Sequence, residues 1–525
     1  MTTNTSEPSP DKEKGGIKQW IALFSIIFAT FLEMLDHSVI NVAIPKMTSL
    51  LNSTIDDMEW VVTGYTLATA VVIPLGGFLA DRFGYKKILM LSVSAFIMTS
   101  AMCGMAWNDT SLIVFRVLQG LGGGIIMPVG MAMLYQIMDR SKVPIAMGIW
   151  GISAMAAPSL GPTIGGYVVE HMHWSILFYI NIPIGLLSLL IAFFLIKETP
   201  KQSHLKFDFP GIILSSIFFC SLLLIIKKGE AEGWTSLYIV TLIWISVSSF
   251  MLLLWVETGK KDPVINLRLF KNKDFTVSIL ISSLVFIAIQ GGAYILPIWY
   301  QNVGGLTPSQ TGVQLMPQAI ATALMMPLVG ALSNRIGVIP FGVTGLALLT
   351  FGTYKLHFIT GDISNYELNV YLVIRGLGIG LCMMPIIAAG LNTMSNELMG
   401  SASSLSNILR SVSSSFGIAL LGTFMSHRTT QYGAAITEQI SETSPAFAAF
   451  QGHIVHNYMM LGADTAASQG GFLGVLGQTI QKEALVRGFT DTFFLLVILG
   501  AICIPLVFLM KNKSSREGGD DIMIH

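Results

Sequence analysis

Charge is scarce in this chain. Of 525 residues, 30 are Lys or Arg and 30 are Asp or Glu, together 11% and cancelling to zero, whereas a soluble globular domain carries about 25%. Water is therefore the wrong solvent for most of the surface. A zero balance without a basic stripe and interleaved aromatics also excludes an electrostatic nucleic-acid binder. Cysteine is as sparse: Cys103, Cys220, Cys382 and Cys503 all lie inside apolar runs without ligand spacing, which argues for free core thiols and against disulfides or a zinc site. No Gly-Lys-Ser/Thr phosphate loop occurs, so this chain is not built to hydrolyse ATP. No nucleophile, base and oxyanion set is visible, and an enzyme is not expected. Neither a metal site nor a cofactor is expected: His171/His173 and His453/His456 form no complete ligand set.

What fills the chain is apolar sequence. Hydrophobic residues make up 53%, with a mean hydropathy of +0.68. They fall in runs of about 20 residues, enough to cross a hydrocarbon core about 30 Å thick as a helix. Runs such as 212–226 and 495–509 are apolar on every face, unlike the strict alternation of a barrel strand. The reading is an all-α polytopic membrane protein with fourteen spans, near 18–44, 58–80, 88–106, 111–135, 143–169, 174–196, 209–227, 237–256, 275–300, 308–333, 338–358, 368–391, 399–426 and 487–510. An even number of spans puts both termini on one side. Lys and Arg favour that side by nearly three to one, which makes it the cytoplasm of a cell (inner) membrane protein. The polar segment 1–17 reads as a cytoplasmic tail ahead of a retained first helix, since no small-residue cleavage site follows the first apolar run.

Two halves are related. Gly77-Phe-Leu-Ala-Asp-Arg-Phe-Gly84 recurs as Gly330-Ala-Leu-Ser-Asn-Arg-Ile-Gly337, and Arg116-Val-Leu-Gln-Gly-Leu-Gly has an echo in Arg375-Gly-Leu-Gly-Ile-Gly. This repeat divides the chain into a six-helix bundle at 18–196, a linker at 197–274 carrying two inserted spans, and a second six-helix bundle at 275–510, followed by a cytoplasmic tail at 511–525. The break at 427–486, on the opposite face, is expected to hold one or two amphipathic helices over the bundle exit.

Few residues break the apolar pattern, and each is a candidate. Glu33 and Asp36 stand three residues apart on one face of the first span. An ionisable group there costs about 2.5 to 3.5 kcal/mol to insert and normally faces a bundle interior or aqueous cavity. Asp36, flanked by His37, Ser38 and Asn41, is the leading proton carrier, with a static ion pair to a buried Arg as the alternative; Glu33 is second and also suits a substrate pocket. Arg116 is the candidate partner of Asp36. Arg375 and Arg410, also deep in spans, mean that the cargo need not be a cation. In the loop Asp81-Arg82-Phe83-Gly84-Tyr85-Lys86-Lys87, Gly77 and Gly84 set the turn and Asp81 is placed to cap a helix of the other bundle, latching one conformation. Pro158, Gly161, Pro162, Gly165 and Gly166 crowd the fifth span and predict a hinge or tight seam. Glu33, Asn41, Gln290, Tyr294, Gln318 and Arg375 are candidate cavity residues, beside an adaptable lining of Met325, Met326, Met383, Met384, Trp299 and Tyr300.

Together these motifs resemble the major facilitator superfamily, and within it the fourteen-span drug:proton antiporters of the EmrB/QacA type. The resemblance covers residues 18–425 and the last span. It rests on Leu35-Asp-His-Ser-Val-Ile-Asn-Val-Ala-Ile-Pro45, the loop Gly77 to Lys87, Arg116 to Gly124, Gly161-Pro-Thr-Ile-Gly-Gly166, Asn181-Ile-Pro-Ile-Gly185 and Asn407-Ile-Leu-Arg410. It implies the major facilitator fold of two six-helix bundles plus two central helices, and alternating access. It also implies proton-coupled antiport through Asp36, and multidrug efflux of small amphipathic compounds, as in antibiotic resistance. The partners implied are the cargo, protons and the lipid bilayer, and also a periplasmic adaptor where the host has an outer membrane. An endogenous metabolite, lipid or anionic cargo is the alternative, and uptake by symport a more distant one. The sequence departs from the pattern at Asn334, which replaces the acid in the second loop copy, at His37 and Ser38 after Asp36, and at Ser175.

Overall fold

Polar caps fix where half of the α-helices begin. Thr54, Asn108, Asp208, Ser236, Asn272, Thr307, Ser364 and Asp464 each accept a hydrogen bond from a first-turn backbone N–H, satisfying donors that lipid would leave bare. The computed structural model describes residues 10–510 except 52, 140–141, 200, 202–207, 261–262, 264, 362, 396 and 441–443. The side chains of 10–15, 41, 42, 45, 55, 56, 155, 156, 158, 159, 334 and 446 also lie outside the description.

The first group of helices is α1 (Pro10–Leu50), α2 (Ile55–Phe83), α3 (Tyr85–Gly104), α4 (Asp109–Ile137), α5 (Val143–His171), the single turn α6 (Ile176–Tyr179) and α7 (Asn181–Leu195). In it α4 packs on α2 and α3, and α1 on α5 and α7. Two helices follow that pack mainly on each other, α8 (Phe209–Glu232) and α9 (Leu237–Thr258). A short 3-10 turn, Leu267–Lys271, leads into the second group: α10 (Lys273–Asn302), α11 (Pro308–Ile336), α12 (Val338–Leu356), α13 (Asn365–Leu391), α14 (Met399–Gln439), α15 (Pro445–Met460) and α16 (Thr465–Val507). Among the described residues no strand occurs, and thirteen helices are long and apolar enough to cross a membrane. α5, 29 residues long and wedged between α1 and α11, joins them in length. Successive helices reverse direction, so residues 84, 337 and 259 lie on the face where α1 starts, the near face, and residues 233 and 303 on the far face.

The two repeat loops share a backbone signature. Gly84 and Gly337 have φ of 102° and 91°, a region that costs an L side chain roughly 1–2 kcal/mol, and each lets a helix stop and restart within one residue. The two groups meet along α5–α11 and α2–α14.

The segment 427–486 is not a separate loop. α14 continues unbroken for 41 residues and α16 for 43, about 60 Å each at 1.5 Å per residue, or about twice a hydrocarbon core. Both run on past the far face as a pair of rods, with α15 packed on α16. Their junction is braced by Arg428, which pairs with Asp491 and donates to Tyr432 Oη at 2.9 Å, while Tyr432 Oη donates to Asp491 at 2.9 Å.

Candidate proton-coupling site and bundle interface

Asp36 sits on α1 inside the first helix group, 1% exposed, and every atom of its carboxylate is used. Arg116 Nη1 on α4 lies 2.5 Å from Oδ2, while Oδ1 accepts from Asn181 Nδ2 on α7 at 2.7 Å and Gln119 Nε2 at 3.2 Å. Arg116 is spent in turn on Gln119 Oε1 at 2.7 Å and the Val61 carbonyl at 3.3 Å, and its guanidinium lies 4.3 Å from the Tyr65 ring centroid. Asn181 Nδ2 also donates to Ser100 Oγ at 3.0 Å. Two helices, α4 and α7, thus bond the carboxylate carried by α1, and α2 and α3 support those partners. A buried ion pair is tolerable only with this many supporting bonds, and such a network is sensitive to the gain or loss of one proton.

Glu33, one turn earlier, points elsewhere. It is 7% exposed, its Oε2 has no hydrogen-bond partner, and it lies within electrostatic reach of Arg410 on α14, of Asp36 and of Tyr65. Arg410 bonds Asn407 Oδ1, touches Met127 Sδ and lies 5.1 Å from the Phe286 centroid. Asp36 belongs to the core of the first group, whereas Glu33 stands between that network, through Tyr65, and Arg410 of α14.

Arg375 repeats Arg116 in the second half but finds different company. It is fully buried and donates to the Ala288 carbonyl at 2.9 Å and Gln318 Oε1 at 3.4 Å, while its Nε stays unpartnered. Among the described residues no carboxylate pairs with it. Of the other cavity candidates, Gln290 is half-buried and Tyr294 is exposed and rests on Gly422; the Asn41 side chain lies outside the described residues.

The loop and the fifth-span motif both lie where the groups touch. Ser404 Oγ on α14 accepts from the Gly77 N–H at 2.8 Å, and Ser403 Oγ donates to the Pro128 carbonyl at 2.7 Å. A β-carbon on Gly77 would stand 2.3 Å from the Gly400 carbonyl oxygen. Asp81, held by Tyr85 Oη at 2.6 Å, lies against Gly400 in the first turn of α14, where a helix dipole favours a carboxylate. Arg82 lies over Phe83 and Lys87 is exposed. On α5, Gly161 abuts Ser38 and Gly165 abuts Val39 of α1, whereas Gly148 abuts Met326 and Gly166 abuts Ser309 of α11. The helix runs on through Pro162; the Pro158 side chain lies outside the described residues.

Sequence reasoning passed over Gln119, Asn181, Ser100 and Tyr65 as partners of the ion pair. The available signals were Gln119 three residues after Arg116 and a lone Asn opening an apolar span.

Two helical groups joined at glycine-lined seams, with a charged network buried in one of them, are the architecture of a polytopic membrane transporter. The chain belongs to the Major Facilitator Superfamily, whose family model matches residues 26–418; it is a transporter, not an enzyme. It is 32% identical to the uncharacterized MFS-type transporter YhcA of Bacillus subtilis, over 98% of this chain and 97% of that one. The fatty acid resistance protein FarB of Neisseria gonorrhoeae is 30% identical (96% and 98% covered), and the multidrug export protein EmrB of Escherichia coli 27% (96% and 98%). Among solved structures, the proton:xylose symporter XylE superposes with a TM-score of 0.58 at 11% identity, covering 92% of this chain and 95% of that one, a likeness of fold alone.

Proposed function

We propose that this transporter exports small amphipathic compounds in exchange for protons, with the near face cytoplasmic, both termini on that side and fourteen spans in all. The observation that carries the reading is the Asp36 carboxylate, buried and shared between Arg116, Asn181 and Gln119. Its charge is balanced only while these donors stay in register. A proton arriving at Asp36 releases Arg116 for other acceptors and changes how α1, α4 and α7 pack, which is the coupling that antiport needs. Asp81 and Gly77 close the near face onto α14, and Glu33 with Arg410 lines the path between the bundles.

The test is exchange in proteoliposomes under an imposed proton gradient. Asp36→Asn keeps the side chain's shape, leaves Arg116 without its counter-charge, and abolishes gradient-driven export while leaving substrate binding, which doubles as the check that the variant is folded; full gradient-driven export by that variant removes Asp36 from the mechanism.

A second reading concerns the cargo. Arg375 lies in the second bundle without a carboxylate partner and with an unused Nε–H, a site suited to an anionic head group, and a relative carries fatty acid resistance in its name. Arg375→Gln then weakens export of carboxylate amphiphiles more than of cationic dyes, compared side by side in cells lacking their own pumps. Where the host has an outer membrane, the far-face rods are the part that would meet a periplasmic adaptor.

A further inference from the structure

A second cluster of ionisable groups stands outside the transport path, at the near-face foot of the inserted helices. Asp208 caps α8: its Oδ1 accepts from the Gly211 N–H at 2.8 Å and bonds Lys260 Nζ. Its Oδ2 is buried without a partner. Glu257, in the last turn of α9, is 3% exposed, and neither of its oxygens has a hydrogen-bond partner. The two orphaned groups face the same small space. A β-carbon built on Gly211 would lie 2.3 Å from Glu257 Oε1 and 2.6 Å from Asp208 Oδ2, so the absence of a side chain at Gly211 is what lets the carboxyls approach.

Among the described residues the charges around the pair are few; Lys206, Lys261 and Asp262 lie outside them. Lys260 is committed to Asp208 Oδ1, and Arg268 of the 3-10 turn donates to the Lys260 carbonyl rather than to either acid. α8 carries no other charge before Lys227, and α9 carries none but Glu257. Among the described residues one ammonium faces two enclosed carboxylates, and of two like charges sharing a site one is held strongly toward its protonated form. A protonated carboxyl supplies what the geometry lacks, an O–H donor between two acceptor oxygens.

We propose that Asp208 and Glu257 form a second proton site, which holds one proton between their carboxyls and so ties the foot of α8 to the foot of α9. The site does not involve Asp36 and stands whether or not that residue carries the transported proton. Because the folded site holds a proton that the separated carboxyls of the unfolded chain do not hold at neutral pH, the stability it contributes is present at low pH and lost as the near face turns alkaline.

The experiment is infrared titration of the purified full chain, paired with its thermal midpoint across pH. Wild type shows the carbonyl stretch of a buried carboxylic acid at neutral pH; Glu257→Gln removes that band and flattens the fall of the midpoint with rising pH. Glu257→Asp keeps the band but shifts it, which guards against loss through misfolding, and Asp36→Asn leaves it untouched. A difference spectrum between wild type and Glu257→Gln without a carboxylic-acid band overturns the proposal. So does a midpoint raised by sodium or calcium ions in wild type and not in Glu257→Gln, because the occupant is then a metal cation.

Discussion

Asp36 and Arg116 are worth more together than apart. Removing one partner of a buried pair leaves the other charge stranded, at a cost of about 3–5 kcal/mol. Arg116→Ala and Asp36→Ala should each lower the unfolding midpoint in detergent sharply, while the double variant loses far less than the two combined. Equal and additive losses would mean that the 2.5 Å contact carries no coupling. Asn181→Leu removes a single bond to a charged group, worth about 1.5–3 kcal/mol, and should sit between wild type and the ion-pair variants. The sequence disclosed the charged members of this network because charge inside an apolar run is conspicuous. It concealed the neutral ones because Gln, Asn and Ser occur in spans for many reasons, and only the fold shows which of them reach Asp36. Arg375 shows the opposite limit: its repeat relation to Arg116 was legible, but the lack of an acid opposite it was not, since that depends on which residues α10 and α11 present to it.

Helices α2, α5, α11 and α14 set how closely the bundles approach. Gly77 and Gly148 lie where the backbone of the opposite helix stands within 2.4 Å of the place a β-carbon would take. Gly77→Val should therefore hold the near face apart while leaving each bundle folded. Single cysteines placed beside Gly400 would be labelled from the near side faster than in the parent, and unchanged labelling would show that this seam does not gate access. Gly84→Ala, at φ 102°, should cost roughly 1–2 kcal/mol without separating the bundles. The boundaries at Gly84 and Gly337 were legible because each glycine closes a copy of the repeated loop motif. They were not legible across residues 427–486, where Gln, Thr, Ala and Gly are compatible with either loop or helix and only packing between α14 and α16 decides.

For the molecule as a whole, the inserted helices are more than spacers. Near the far face, Lys227 donates to Thr63 at 3.1 Å and Lys228 pairs with Glu59 at 3.6 Å, both on α2, while Thr423 on α14 donates to Glu230 at 2.6 Å. α8 is thus fastened to both bundles on the side opposite the Gly77–Gly400 seam. Replacing Lys227, Lys228 and Glu230 together with Ala should widen the distribution of distances between spin labels on α2 and α14 at the far face, with little change at the near face. The repeat revealed that two helices had been inserted. It gave no sign of what they touch, because the partners are single polar residues on two helices, α2 and α14.

The length of α14 gives these movements an amplifier. One unbroken rod carries Gly400, pressed against Asp81 at one end, and Gln439, well clear of the membrane, at the other. A small rotation about the near-face contact, too slight to resolve beside Asp81, becomes a sweep of several ångströms at the tip. The projecting end would work as the pointer of a gauge: a fluorophore beside Gln439 would display any shift at the Asp81–Gly400 contact at the other end of the rod.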